Sequence, residues 1–236
     1  MGSLLCRYDP GMNTLKIDFV SDISCPWCAI GLSALEQALE HLQGEVSATL
    51  RFQPFELNPQ MPPGGQDIGE HLTQKYGSSP EQQAQIRETI RQRGAEVGFE
   101  FSPAGRGRIY NTFNAHRLLH WAGEEHPNQQ LALKKSLLQA CHTDRQSMES
   151  PEVLMASVRE AGLDEQRAQA ILNSGEFTDE VRAHEALYTR SGIHSVPVVI
   201  INDEHLISGG QPVAVFENAL RQIAAQLSLS ASGPRP

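Results

Sequence analysis

Residues 15–28 read LKIDFVSDISCPWC, and this stretch decides the fold. Apolar and polar side chains alternate over residues 15–20, which predicts a β-strand, and residues 21–24 are turn and capping types. Beyond Cys28, apolar residues recur at spacings of three and four as far as Gly44, which predicts a helix. Cys25 therefore lies at the start of that helix, with Pro26 at its favoured first position.

This position favours redox chemistry of the cysteine pair. Unpaired backbone N–H groups and the positive end of the helix dipole stabilise a thiolate, so Cys25 is the predicted nucleophile. Cys28, one turn further into the helix, is predicted to resolve the mixed disulfide that Cys25 forms with a substrate. The intervening residues, Pro26 and Trp27, stiffen and cover the pair. Asp18 and Asp22 flank the pair in sequence, and either is a candidate to accept a proton from Cys28.

Two other interpretations of the pair are a zinc half-site and inert core thiols. A structural zinc site needs a second pair of Cys or His ligands, and the chain offers only Cys6, Cys141 and scattered histidines. His116 and His120 are four residues apart, without a third ligand in a recognisable motif. The strand-then-helix context favours the redox interpretation, and we predict neither a metal nor a cofactor. Cys141 is predicted to be a buried small hydrophobe.

The composition restricts the classes of partner. The 236 residues include 19 Lys and Arg against 28 Asp and Glu, a net charge of −9, with no basic run that would favour nucleic acid or an anionic membrane. No stretch approaches the roughly 20 apolar residues that span a bilayer. The N-terminus is too polar for a secretion signal, so we predict a cytoplasmic protein with residues 1–12 as a disordered leader.

The last part of the chain predicts a hairpin and a closing helix. A β-branched run follows Val196-Pro197, and Asn202 and Asp203 are placed at the tip of a tight turn. Because proline cannot donate to a strand ladder, a cis Val196–Pro197 bond at the sheet edge is expected. Apolar residues over 213–227 have helical spacing, and 229–236 are predicted to be a disordered tail.

Between these two parts, residues 46–52 alternate as a second strand, and a proline- and glycine-rich linker follows. The pattern is then helical to about Gly192, with segments near 66–76, 80–97, 110–124, 127–141, 150–161, 164–174 and 176–191. The fold class is therefore α/β, a thioredoxin fold with a large inserted all-helical domain. We expect the thioredoxin-like domain to comprise residues 13–60 and 193–228, and the inserted helical domain to comprise 61–192.

Several motifs together resemble the FrnE-type branch of the DsbA family, over about residues 14–226. They are the Cys25–Cys28 motif, residues 52–59 (FQPFELNP), residues 111–118 (NTFNAHRL), residues 195–197 (SVP) and residues 208–212 (SGGQP). The resemblance implies a DsbA-like protein disulfide oxidoreductase in which Cys25 attacks and Cys28 resolves. It also implies that Val196 and Pro197 form a cis-proline loop whose backbone binds an extended substrate. By the same resemblance, residues 55–58 and the helix that carries Asn111 and His116 border the cleft.

The expected substrates are protein or peptide thiols and disulfides, with glutathione or thioredoxin as redox partners. No cysteine follows Cys141, which excludes a second, C-terminal redox pair. One alternative is a glutathione-dependent isomerase or kappa-class transferase, in which the thiol of bound glutathione reacts. Another is a peptide-binding or chaperone-like module that holds an extended chain by backbone hydrogen bonds.

Overall fold

The fold is built around a four-stranded mixed sheet. The structure is a computed structural model that describes residues 14–231, so the predicted leader lies outside the described residues. In chain order the elements are β1 (Thr14–Ser21), α1 (Pro26–His41), β2 (Ser47–Pro54), β3 (Gln66–Asp67), α2 (Ile68–Tyr76), α3 (Pro80–Glu96), β4 (Arg108–Ile109), α4 (Phe113–Glu125), α5 (Pro127–His142), α6 (Pro151–Glu160), α7 (Glu165–Leu172), α8 (Thr178–Arg190), β5 (Val198–Ile201), β6 (His205–Ser208) and α9 (Val213–Ala231).

The strand order in the main sheet is β2-β1-β5-β6. Phe19 of β1 faces Phe52 of the parallel strand β2 on one side and Val199 of the antiparallel strand β5 on the other. The hairpin between β5 and β6 is confirmed, and its tip residues Asn202 and Asp203 have φ values of 54° and 61°, which that tight turn requires. Because β1 is central, the loop that follows it lies at the middle of one sheet edge.

Two hydrophobic clusters hold the structure together. The first joins the sheet to α1 and α9, with β1 residues Leu15, Ile17 and Phe19 fully buried. The second joins α4, α5, α6 and α7. Helix α5 contributes to both clusters, since Leu138 belongs to the first and Leu137 to the second. This helix therefore connects the helical part of the chain to the sheet.

The predicted fold class is confirmed: helices α2 to α8 all lie between β2 and β5 in the chain. The predicted helix starts are also confirmed where caps mark them. The side chains of Ser79, Ser150 and Asp164 each accept a hydrogen bond from a backbone N–H of the first turn of the following helix. The exact domain boundaries near residues 60 and 193 stay a prediction. No helix within residues 14–231 is both long enough and apolar enough to cross a bilayer.

Most predicted helix ends differ from the structure by one to three residues, and the start of α2 and the end of α9 differ in a way that has a physical reason. The sequence pattern predicts a helix from residue 66, but residues 66 and 67 form β3, which pairs with β4 in a two-residue ladder, and Asp67 caps α2. Strands this short show no alternation that a sequence pattern could reveal. Helix α9 runs to Ala231, so residues 229–231 are helical and not part of a tail, and residues 232–236 lie outside the described range.

Candidate active site

The cysteine pair lies where β1 passes into α1. Cys25 is the N-cap residue of α1, with extended backbone angles, and Pro26 is the first helical residue. The backbone N–H of Cys28 donates to the carbonyl oxygen of Cys25 at 3.1 Å. Both thiols are free, and Cys25 is 4% exposed whereas Cys28 is fully buried. Only the first cysteine therefore reaches the surface.

The two thiols have pKa values shifted in opposite directions. A hydrogen bond from Cys28 is the largest influence on Cys25 and lowers its pKa, and the backbone N–H groups of Cys28 and Trp27 lower it further, against burial and the Asp22 charge. Burial is the largest influence on Cys28 and raises its pKa well above the usual range, and Cys25 raises it further. The arrangement favours a Cys25 thiolate beside a protonated Cys28.

The loop before β5 closes one side of the pair. The Val196–Pro197 peptide bond is cis, and the Cys25 thiol donates to the carbonyl oxygen of Val196 at 3.4 Å. This loop also packs closely against α1: a Cβ atom added to Gly31 would lie only 3.1 Å from Cγ of Pro197. A Cβ on Gly210 would lie 2.9 Å from the carbonyl oxygen of Trp27. Two glycines thus allow the three segments to approach each other closely.

A buried carboxylate lies next to the pair. Asp22 accepts hydrogen bonds from the N–H of Ser24 at 2.9 Å, the N–H of Leu57 at 2.7 Å and the hydroxyl of Thr112 at 2.9 Å. Burial raises the pKa of Asp22, but His116 and the two backbone N–H groups outweigh it, so the pKa is lowered overall. The other candidate, Asp18, lies on β1 and bonds Gln53 and Lys16 instead.

The two predicted residues from the inserted helices do not line an open cleft. His116 is 2% exposed, and its Nε2 lies 3.6 Å from Oδ1 of Asp22, behind the pair. The expectation that His116 borders the cleft is therefore wrong, because α4 turns this residue inward. The amide of Asn111 donates to Glu56 at 3.3 Å, and its backbone N–H donates to Glu149 at 3.1 Å. Asn111 thus joins the start of α4 to the segment after β2.

The C-terminal end of α2 also lies near the cysteine pair, and sequence reasoning did not assign it to the site. Lys75 donates to the carbonyl oxygen of Leu57 and to Oδ1 of Asn58, at 2.8 and 2.7 Å. The neighbouring Tyr76 is 62% exposed, and burial followed by the charge of Cys25 raises its pKa. An exposed aromatic ring within electrostatic reach of Cys25 is suited to contact a bound peptide.

Sequence reasoning also missed Lys134 and Gln130 on α5. Lys134 is fully buried and its Nζ has no hydrogen-bond partner within the described range. Gln130, one turn earlier, bonds both the N–H and the carbonyl oxygen of Phe52 on β2. The available signal was a lysine inside an otherwise apolar helical stripe, three residues after Leu131 and four before Leu138.

Among residues 14–231, Cys141 and the histidines form no further centre. Cys141 is buried, as predicted, and burial raises its pKa. Across the part of the chain that the structure describes, no group of three or more His, Cys, Asp or Glu side chains is arranged to hold a metal ion.

A family model, a curated protein and several solved structures are similar to this chain. A family model described as a DSBA-like thioredoxin domain matches residues 16–221. The uncharacterized protein YwbO of Bacillus subtilis is 26% identical over 208 residues, which cover 88% of this chain and 96% of YwbO. A solved structure of a probable DsbA oxidoreductase from Streptomyces coelicolor is 31% identical, with a TM-score of 0.80 and coverage of 94% of this chain and 93% of that one. A putative protein disulfide isomerase from Nitrosomonas europaea shares the fold at 18% identity and a TM-score of 0.68, with coverage of 94% and 100%.

Proposed function

This chain belongs to the family of DSBA-like thioredoxin domains, and we propose that it is a thiol–disulfide oxidoreductase that works through Cys25 and Cys28. The observation that carries the proposal is the placement of the pair, with Cys25 at the N-cap of α1 and 4% exposed and Cys28 fully buried in the first turn. The opposite pKa shifts of the two thiols, lowered for Cys25 and raised for Cys28, agree with this placement. An attacking cysteine needs its thiolate, whereas a resolving cysteine can stay protonated until the mixed disulfide has formed.

The reaction proceeds by two exchanges. The Cys25 thiolate attacks one sulfur of a substrate disulfide, a Cys25–substrate disulfide forms, and the other substrate sulfur leaves as a thiolate. Cys28 then attacks the Sγ of Cys25, the Cys25–Cys28 disulfide forms, and the second substrate sulfur leaves. The protein is oxidised and the substrate is reduced by two electrons. The same steps in reverse transfer the disulfide to a dithiol substrate.

Substrates are proposed to be extended segments of protein or peptide thiols and disulfides. The carbonyl oxygen of Val196 faces Cys25, so a mixed disulfide places the substrate backbone beside this loop. Pro26, Trp27, Val196 and Pro197 form the proposed contact surface around the pair, with the exposed ring of Tyr76 opposite. Asn111 acts by holding the start of α4 in place.

Regeneration is proposed to use glutathione or a thioredoxin as the redox partner. Membership of the FrnE-type branch and a cytoplasmic location stay predictions that rest on the sequence.

The test is equilibration with glutathione redox buffers, followed by trapping of free thiols. We expect one two-electron couple in the wild type and in Cys141→Ser, the matched control that removes a buried cysteine outside the pair. Cys25→Ser should lose exchange. Cys28→Ser should accumulate a mixed disulfide with glutathione, since nothing remains to resolve it. An inert pair in the folded wild type would overturn the proposal.

The same variants distinguish the proposed function from the glutathione-dependent alternative. A protein that uses bound glutathione as its reacting thiol does not need Cys28, so turnover should survive in Cys28→Ser. If Cys28→Ser instead loses reduction of peptide disulfides and glutathione does not bind, the alternative is wrong.

A further inference from the structure

Lys134 is a buried lysine whose charge is not needed for the packing of the fold. Its side chain is fully buried, and its Nζ accepts or donates no hydrogen bond among the residues between Thr14 and Ala231. The ring of Phe52, 5.8 Å from Nζ, gives it a cation–π contact. An unpaired ammonium is costly to bury, and an apolar side chain of similar volume would fill the same space.

The surrounding contacts fix where this charge lies. Gln130 ties α5 to Phe52 of β2, so the inward face of the helix cannot slide along the sheet. Leu138, one turn after Lys134 on the same face, packs in the hydrophobic cluster that contains Cys25 and Cys28. Lys134 is therefore held on the inner side of the pair, opposite the surface where substrate binds.

Lys134 and Cys28 act on each other electrostatically. Burial lowers the pKa of Lys134 to about 8, and among the neighbouring charges Cys28 raises it most. In return, Lys134 lowers the pKa of Cys28, against the upward effects of burial and of Cys25. Lys134 is therefore a buried cation whose charge favours the thiolate of Cys28.

We propose that Lys134 is a positioning residue that stabilises the thiolate of Cys28 while it resolves the mixed disulfide. The inference rests on the function proposed above. In this step the S–S bond between Cys25 and Cys28 forms, the Cys25–substrate bond breaks, and the departing sulfur takes the electron pair. The proton of Cys28 ends on that departing sulfur, so no further reactant is needed. A buried positive charge at Lys134 lowers the cost of the thiolate more in this second exchange than in the first, because Lys134 interacts more strongly with Cys28 than with Cys25.

Other titratable groups face the same region, and their effects on the pH profile must be distinguished from that of Lys134. They are Asp22 and Cys25 beside Cys28, His116 and His120 on α4, and Cys141 and His142 on α5. Burial lowers the pKa of His120 and, more strongly, of His142, and it raises the pKa of Cys141. His120 and His142 are therefore neutral at neutral pH, where the effect of Lys134 on resolution by Cys28 is compared.

The experiment follows both exchanges in one trace. Reduced protein is mixed with one equivalent of dithiobis(nitrobenzoate), and the release of coloured thionitrobenzoate is recorded over a range of pH. The first phase reports the attack by Cys25, and the second reports resolution by Cys28. Lys134→Met should slow the second phase about tenfold at neutral pH if the apparent pKa of resolution rises by about one unit. The first phase should change much less.

Lys135→Met is the matched control, because Lys135 is exposed and pairs with Glu36 at the surface. It should keep the wild-type pH profile of both phases. Lys134→Met should fold at least as stably as the wild type in urea, since it removes an unpaired buried charge. Lys134→Gln supplies a second uncharged variant should the first not fold.

An unchanged pH profile of the second phase in a folded Lys134 variant would overturn the inference and leave the proposed function intact. A wild-type protein without any second phase would instead overturn the proposed function, and the role of Lys134 with it. A change in urea stability without a change in the pH profile would show that Lys134 is only structural.

Discussion

Nε2 of His116 lies 3.6 Å from Oδ1 of Asp22, and each side chain is only 1% exposed. Asp22 leaves the end of β1, and His116 comes from the first turn of α4 in the inserted helices. The same carboxylate accepts hydrogen bonds from Leu57 after β2 and Thr112 before α4. One buried acid therefore joins three segments directly beneath the cysteine pair, and its charge acts on Cys25.

Asp22→Asn should lower the pKa of Cys25, because the Asp22 carboxylate raises it in the wild type. The measurement is the rate of alkylation of Cys25 by iodoacetamide as a function of pH. Asp18→Asn is the control, since Asp18 bonds Gln53 of β2 and Lys16 of β1 instead. An unchanged or higher pKa of Cys25 in Asp22→Asn would show that the carboxylate does not act on the thiol.

Asp22 should also make stability depend on acid pH. Its pKa lies below 3.8, the value of a free carboxyl group, so the folded state binds the proton less tightly than the unfolded state. The resulting stability is present above that value and is lost as the pH falls through the folded pKa. Asp22→Asn should be less stable than the wild type by about 1–3 kcal/mol at neutral pH, since two N–H groups lose a charged acceptor.

The measurement is the free energy of unfolding in urea at a series of pH values. The difference between the wild type and Asp22→Asn should shrink as the pH falls below 3.8. A difference that stays constant down to strongly acidic pH would contradict this assignment.

The position of the cysteine pair could be predicted from the sequence, but the residues beneath it could not. Alternation over residues 15–20 and the helical spacing after Cys28 were enough to place Cys25 at the N-terminus of α1. Asp18 and Asp22 could not be distinguished, because the choice depends on where β1 ends, at Ser21, and on which later segments donate to the loop.

Lys134 shows a second limit of sequence reasoning. A lysine on a helix is ordinarily exposed to solvent. Sequence periodicity predicts which face of a helix is buried only when the residues of that face are apolar. Here α5 contacts the sheet on one side and α4 and α6 on the other, so most of its circumference is buried. Tertiary packing of the insertion against β2 decides that Lys134 points inward, and no local pattern contains that information.

Gly31→Ala should destabilise the protein although alanine is the better helix former. The added Cβ would lie 3.1 Å from Cγ of Pro197 and 3.2 Å from the Cα of Gly210, so the proline loop must shift. Overpacking of this kind costs about 1–3 kcal/mol, measured by urea unfolding. The exchange rate of Cys25 should fall as well, because Val196 moves with the loop.

Gly175→Ala is the control, since its Cβ would meet nothing within 4 Å. It should change the unfolding free energy by less than about 0.5 kcal/mol. Equal stability of the two variants would mean that the loop adapts to the extra methyl group without cost.

Gln130→Leu should weaken the attachment of the insertion to the sheet. The Gln130 amide accepts from the N–H of Phe52 at 3.1 Å and donates to its carbonyl oxygen at 3.3 Å, as a neighbouring strand would at this edge. It also donates to the carbonyl oxygen of Leu119 at 3.0 Å. A leucine leaves these buried groups unpaired, so we expect a loss of about 2–4 kcal/mol in urea unfolding.

Gln139→Leu on the same helix provides the control, because Gln139 is exposed and should tolerate the change. The two variants also test whether the position of α5 on the sheet affects the redox reaction. Gln130 fixes α5 against β2, and Lys134 lies one turn further along the same face. Loss of the contact between Gln130 and Phe52 should therefore slow the second phase of thionitrobenzoate release in Gln130→Leu. The rate of that phase in Gln139→Leu should equal the wild-type rate. If Gln130→Leu loses stability but resolves the mixed disulfide at the wild-type rate, the position of α5 matters for folding alone.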